Sequence, residues 1–329
     1  MKTAPHQPPA SAPSPVLPSR PILVVGASGA IGSQVVRALV ARGARVRVLI
    51  RSLERGADLP PQVERVVGTL EDCQAIARAM RGVHAAFYVS PHDEREEQLA
   101  ENFVRACELE GVRLVFSGVH ADGKNRLSRL IQRTVFGLLM PHYKPKLRLA
   151  ERVRTSRTNP VVLVPGNYFQ MDEVSREELL AGRYPLPLGL VPRVDTRDVG
   201  EAAARALLDP SVPSGGYALV GPESLSGAQT AAHWSEALGQ LVSYTPDLAV
   251  MDALFSRAYG ARKALDCQKS YRMVGKVKVR TSPADLQQTT FLLGRPPRSH
   301  AEYAREVAAL WRGAVPIPAA AYPLPSAAS

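Results

Sequence analysis

Cysteine is scarce in this chain, aromatic side chains are few, and no apolar run is long. Three cysteines, Cys73, Cys107 and Cys267, are spread over 329 residues. An odd, scattered set builds neither a disulfide framework nor a zinc motif. Cys73 and Cys107 fall on expected helices among apolar neighbours and read as core residues, which fits a reducing, cytoplasmic setting. No stretch approaches the roughly 20 apolar residues that cross a bilayer, so no membrane partner is expected. There is no Gly-x-Ser-x-Gly elbow. No His, Cys, Asp or Glu cluster has metal-ligand spacing, so no metal is expected.

Residues 1–20 hold six prolines and lack the apolar stretch of a signal peptide. They read as a disordered leader, and residues 313–329, rich in Ala and Pro, as a flexible tail. Lys and Arg outnumber Asp and Glu by 41 to 30, a net charge of +11. The charges are scattered. The densest run, Lys269 to Arg280, alternates as Val277-Lys278-Val279-Arg280 and resembles an exposed strand. Without a recognition-helix motif, nucleic acid is not an expected partner. A basic surface also suits an anionic cofactor or a small anionic substrate.

What is present begins at Pro21. An apolar run, Ile22 to Val25, enters Gly26-Ala27-Ser28-Gly29-Ala30-Ile31-Gly32, and an amphipathic stretch from Ile31 to Arg42 follows. A strand that enters a helix through spaced glycines is built for phosphate. Gly26 permits the tight turn, Gly29 lets the backbone approach a pyrophosphate, and Gly32 lets the helix pack on the strand. Ser28, Ala30 and Ile31 complete the loop.

A second strand, Arg45 to Ile50, ends at Arg51-Ser52. An NAD site would place a carboxylate there, about 20 residues past the glycines. Arg51 can instead pair bidentately with a ribose 2′-phosphate, so NADP(H) is expected in preference to NAD(H).

Further strands are expected at Val63–Val67, Val83–Val89, Val112–Ser117 and Pro160–Val164. Helices are expected at Cys73–Met80, Asp93–Glu110 and Pro145–Arg157. Such alternation gives an α/β fold of Rossmann type, a doubly wound parallel sheet with helices on both faces. Ligands bind outside its strands' carboxyl ends. The second half is less regular. A helix from Asp198 to Leu208 and a strand from Tyr217 to Val220 return to the nucleotide-binding domain, residues 21–166. Ser226 caps a helix reaching Gly239, a short strand follows at Val242–Tyr244, and a capping box at Ser299 opens a last helix to Trp311. Residues 167–312 read as a smaller α/β substrate lobe.

Several segments together resemble the NmrA-like branch of the atypical short-chain dehydrogenase/reductases. They are the glycine loop, Arg51, Tyr88-Val89-Ser90-Pro91, His142-Tyr143-Lys144-Pro145-Lys146, Val164-Pro165-Gly166-Asn167-Tyr168-Phe169, Val194-Asp195-Thr196-Arg197-Asp198-Val199 and Gly294-Arg295-Pro296-Pro297-Arg298-Ser299. The resemblance spans residues 21–312. It implies an NADP(H) site that includes Leu70, Val89, Ser90, Ser117, Lys146, Pro165 and Asn167 beside the glycine loop, Arg51 and Ser52. The family it points to mixes NADPH-dependent reductases of quinones and enones with redox-sensing regulators. Two features depart from the pattern. Tyr-x-x-x-Lys is missing, since His142 stands four residues before Lys146 and Tyr143 three. On a helix both would share a face with Lys146, but Pro145 interrupts them. Gly68-Thr69-Leu70 lacks the aspartate often found beside adenine.

Reduction of a carbonyl or enone leaves a negative charge that needs a proton donor. Lys146 is the candidate for organising that end, with Tyr143 and then His142 as acid. His120, Tyr168 and Phe169 are candidate pocket residues. The leading expectation is an NADPH-dependent reductase of a small apolar carbonyl, enone or quinone-like metabolite. A non-catalytic NADP(H) sensor of a partner protein and a cofactor-assisted isomerase or epimerase are the alternatives. A homodimer is compatible with either.

Overall fold

A computed structural model of the chain describes residues 17–118 and 143–313. Its apolar runs form β1 (Ile22–Val25), β2 (Val46–Ile50), β3 (Glu64–Val67), β4 (Ala85–Val89), β5 (Arg113–Ser117) and β6 (Val161–Pro165). β7 (Gly215–Leu219) joins from the second half, alongside β6. The order is β7-β6-β5-β4-β1-β2-β3, and every neighbouring pair is parallel. β1 is fully buried on both faces, which is why it reads as an unbroken apolar run. The strand order reverses between β1 and β4, and a Rossmann-type sheet opens its ligand crevice at that reversal.

Helices cover both faces. α1 (Ala30–Ala41) pairs on one side with α5 (Thr196–Leu208), whose N-terminus is capped by Asp195. Gly200 permits their close approach, since a Cβ there would lie 2.6 Å from the Gln34 backbone. α2 (Cys73–Met80), α3 (Glu96–Leu109) and α4 (Lys144–Arg154) cover the other side. The Asp198 and Arg295-to-Arg298 motifs meet each other. Asp198 accepts from Arg295 at 2.7 Å and from Arg298, and Glu201 pairs with both arginines.

A second core gathers Phe169, Tyr184, Trp234, Phe255, Tyr271 and Tyr303. Its helices are α6 (Gly227–Leu238), α7 (Leu248–Ala258), α8 (Ala261–Val274) and α10 (His300–Trp311). Ser226 and Ser299 cap their helices as expected, Ser299 in the capping box read from the sequence and Ser226 in a second box with Gln229, and Gly239 ends α6 in the left-handed conformation. Between them α9 (Pro283–Leu293) returns to the large sheet. There Gln288 and Thr289 accept hydrogen bonds from the Ala218 and Val220 amides of the edge strand. Covering an edge in this way removes a site for unwanted strand pairing.

Two expectations need correction. Cys73 is exposed, not core: it opens the first turn of α2, whose apolar stripe begins at Ala75. The basic run Lys269–Arg280 is not a strand. Its first part completes α8, and Lys278 makes only an isolated bridge to Leu190. As the interruption by Pro145 implies, Tyr143 does not share a helix face with Lys146: Pro145 sits at the start of α4 and Tyr143 is its N-cap.

Candidate functional site

The loop between β1 and α1 has the form its glycines require. Gly26 lies at φ +79°, and its carbonyl accepts from the Gly29 amide at 2.9 Å. A Cβ on Gly32 would fall 2.1 Å from the Gly26 carbonyl oxygen, and one on Gly26 would fall 2.7 Å from Val89 Cγ1. The loop therefore presses β1 against β4 at the reversal point. Ser28, Gly29 and Ala30 are exposed, and the N-terminus of α1 has neither a side-chain cap nor an acidic residue in its first turn. Its unsatisfied amides and positive dipole end face the crevice. This cradle fits a pyrophosphate.

At the end of β2, Arg51 is exposed and makes no ion pair among the described residues. Ser52 hydrogen-bonds Glu54 and holds that carboxyl below its usual range. Leu70 packs against the core beneath α3, and its carbonyl accepts from Asn102 at 3.0 Å.

The remaining strand ends carry polar groups. Lys146 Nζ donates to Glu96 Oε2 at 2.6 Å, and Ser90 Oγ donates to the same oxygen at 2.8 Å. Both partners of the ion pair are nearly buried, with side chains 13% and 5% exposed. Tyr143 OH and Ser270 Oγ lie 3.0 Å apart. Burial pushes the Tyr143 phenol up, and the Asp266 carboxylate adds to the shift. Tyr168 is likewise raised by burial and by Tyr143, with the Ser117 hydroxyl opposing. Tyr143, Tyr168 and Ser117 thus form one cluster at the ends of β5 and β6. Pro165 ends β6, half-buried. His120 and His142 lie outside the described residues.

Sequence reasoning missed the element that closes this cluster. One face of α8 supplies three groups to it. Asp266 Oδ2 lies 2.8 Å from His92 Nδ1, Ser270 meets Tyr143, and Tyr271 OH accepts from Asn167 Nδ2 at 3.1 Å. The i, i+4 spacing of Asp266 and Ser270 was the available signal.

Below lies a buried hub. Arg193, fully buried, donates to Asp172 at 2.8 and 3.2 Å, to Asn167 Oδ1 at 3.1 Å and to the Tyr168 carbonyl at 2.9 Å. Asp172 also accepts from Tyr184, Trp234 and His300. The Arg193 charge and these donors hold its carboxyl far below the usual range against the opposing effect of burial. His300 is held down to about 4 by burial, despite its bond to Asp172. Phe169 is a correction: it is 1% exposed, stands edge-on to His300, and belongs to the second core and not to a pocket wall.

Among the described residues no cluster suits a metal ion, and no helix is long and apolar enough to cross a membrane.

Comparison with known proteins agrees with this architecture. The chain is 26% identical over 309 residues to an NAD(P)H azoreductase of Xenophilus azovorans, covering 89% of this chain and all of that protein. Its fold resembles the triphenylmethane reductase of Citrobacter sp. complexed with NADP(H) (TM-score 0.70, 21% identity, 87% of this chain and 99% of the other). It resembles equally NmrA, a negative transcriptional regulator, in complex with NADP (TM-score 0.69, 20% identity, 91% of this chain and 98% of the other). The model of the NmrA-like family matches residues 18–290, and the chain belongs to that family.

Proposed function

We propose that the protein is an NADPH-dependent reductase of a small apolar carbonyl, enone, quinone or azo acceptor. The observation that carries this reading is the uncapped, acid-free N-terminus of α1, open at the β1–β4 reversal. Gly26, Ser28, Gly29, Ala30 and Ile31 would hold the pyrophosphate, and Arg51 with Ser52 the 2′-phosphate. Val89, Ser90, Ser117, Pro165 and Asn167 would flank the nicotinamide end, with Lys146 near its ribose. The bound dinucleotide supplies the hydride. The chain's own task is to orient the acceptor and to supply a proton. The azoreductase relative supports a reductase of conjugated acceptors.

A sensor role is the second reading, favoured by one observation: Lys146 is already engaged by Glu96. Calorimetric titration with NADPH, NADP⁺, NADH and NAD⁺, followed by an acceptor screen, separates the two. Binding of the phosphorylated pair with turnover of a quinone or azo compound supports the reductase. Tight NADP⁺ binding with no turnover supports the sensor.

Arg51→Ala tests the cofactor assignment. It is expected to weaken NADPH about 10-fold or more, by loss of a charge-assisted pair, and to leave NADH nearly unchanged. Equal losses for both would defeat the 2′-phosphate assignment.

A further inference from the structure

His92 lies two residues past Ser90, in the loop that leaves the carboxyl end of β4. Its Nδ1 is 2.8 Å from Asp266 Oδ2, and its ring is 34% exposed while the Asp266 side chain is 10% exposed. Asp266 comes from α8, in the second core. The pair therefore joins the two cores across the crevice. A carboxylate at Nδ1 fixes the tautomer: it accepts the Nδ1 hydrogen and leaves Nε2 as the ring's other polar atom. Buried carboxylate, oriented imidazole and partly exposed ring form the arrangement of a positioned acid–base group.

We propose that His92 is the proton donor of the reaction, with Asp266 as the residue that positions it. This rests on the reductase reading above. Hydride addition to a carbonyl, enone, quinone or azo acceptor delivers two electrons and leaves a negative charge on its oxygen or nitrogen. The protonated His92 breaks its Nε2–H bond, the acceptor gains an O–H or N–H bond, and the neutral ring takes a proton from water. The reductant is the reduced nicotinamide.

The charges around the pair act on both sides of this step, making the protonated ring a stronger acid while favouring its neutral form. Lys263 and Arg262 face it from α8, Lys146 from α4, and Asp93 and Glu94 follow in its own loop. Lys263 lies over the Tyr259 ring at 3.8 Å. Cations beside the imidazole stabilise an anion forming there. Burial and the lysines hold the His92 ring below its usual value, and Asp266 opposes them. Tyr143, by contrast, is pushed up and lies against Ser270, which makes it the weaker acid.

The test compares wild type, His92→Gln and Asp266→Asn in three ways: NADPH affinity, kcat against pH, and titration of the His92 ring in the cofactor-free protein by NMR of ¹³C-histidine. Both variants are expected to bind NADPH within twofold of wild type, which reports that the fold is intact. Wild-type kcat should fall as pH rises through the His92 midpoint. His92→Gln should lower kcat about 10²-fold and remove that limb. Asp266→Asn should lower the His92 midpoint in the free protein and reduce kcat less. The inference is overturned if His92→Gln retains wild-type kcat and pH profile, or if Asp266→Asn leaves the His92 titration unmoved. A wild type that binds NADPH but reduces no acceptor would instead overturn the reductase reading, and the proton-donor role with it.

Discussion

Lys146 and Glu96 form an ion pair with N···O 2.6 Å, and Ser90 donates to the same carboxylate oxygen. The pair ties the first turn of α4 to α3 at the edge where β4 ends. The lysine that the Tyr-x-x-x-Lys analogy would place beside a phenol is anchored here by a carboxylate. Removing one member of a nearly buried pair leaves the other desolvated, at a cost of about 3 kcal/mol. Glu96→Gln is expected to show that loss in urea unfolding at pH 7. The double variant with Lys146→Met should recover most of it, giving a coupling energy well above that of a surface pair. A coupling near zero would mean that the pair is effectively solvated.

Gly32→Ala should damage both stability and cofactor binding. The added methyl would meet the Gly26 carbonyl oxygen at 2.1 Å and the Ala27 amide nitrogen at 2.9 Å. Both are backbone atoms of the glycine loop, so the strain must displace the loop or α1. Calorimetry should show NADPH affinity down at least 10-fold, with a lower Tm. Gly82→Ala is the contrast. Nothing lies within 4 Å of its Cβ, so at φ +68° only backbone strain of about 1 kcal/mol is expected, with cofactor affinity unchanged.

Arg193→Met tests the hub under the site. It leaves Asp172 buried without its guanidinium, a loss of about 3–5 kcal/mol. It also releases Asn167 and the Tyr168 carbonyl. Urea unfolding should show the loss. A variant of wild-type stability would mean that Tyr184, Trp234 and His300 suffice to hold the carboxylate.

Glu173 gives a pH prediction. Burial raises its carboxyl to about 7, against the opposing hydrogen bond from Tyr303, while Asp172 and Asp195 add to the rise. The folded protein therefore binds this proton more tightly than the unfolded chain. Its contribution is full below the unfolded value, near 4.5, and is lost as pH rises through about 7. Glu173→Gln keeps an acceptor for Tyr303 and cannot ionise. Its Tm should match wild type near pH 5 and exceed it near pH 8. A Tm difference independent of pH would show that Glu173 is solvated in the folded protein.

The large sheet was legible because its signals are local. Alternating apolar runs and helices indicated a parallel sheet, and the ends of β4 and α2 fell within two residues of expectation. Three glycines and Arg51 marked the candidate cofactor edge because each works through backbone geometry or charge at one point in the chain. The helices α7, α8 and α9 were not read. α8 packs Ala264, Cys267, Tyr271 and Val274 into the second core, but this stripe is interrupted by the buried Asp266 and by charged residues, which weakens its signal. α9 has little amphipathic pattern and spends Gln288 and Thr289 on the edge of β7.

The sequence alone determined the sheet, its carboxyl edge and the glycine loop, because hydrophobic periodicity and glycine sterics act over a few residues. Only the tertiary structure decided what faces that edge. Lys146 found Glu96, 50 positions away, and His92 found Asp266, 174 positions away. Such pairings depend on where packing of the second core places α8, and no local pattern encodes that.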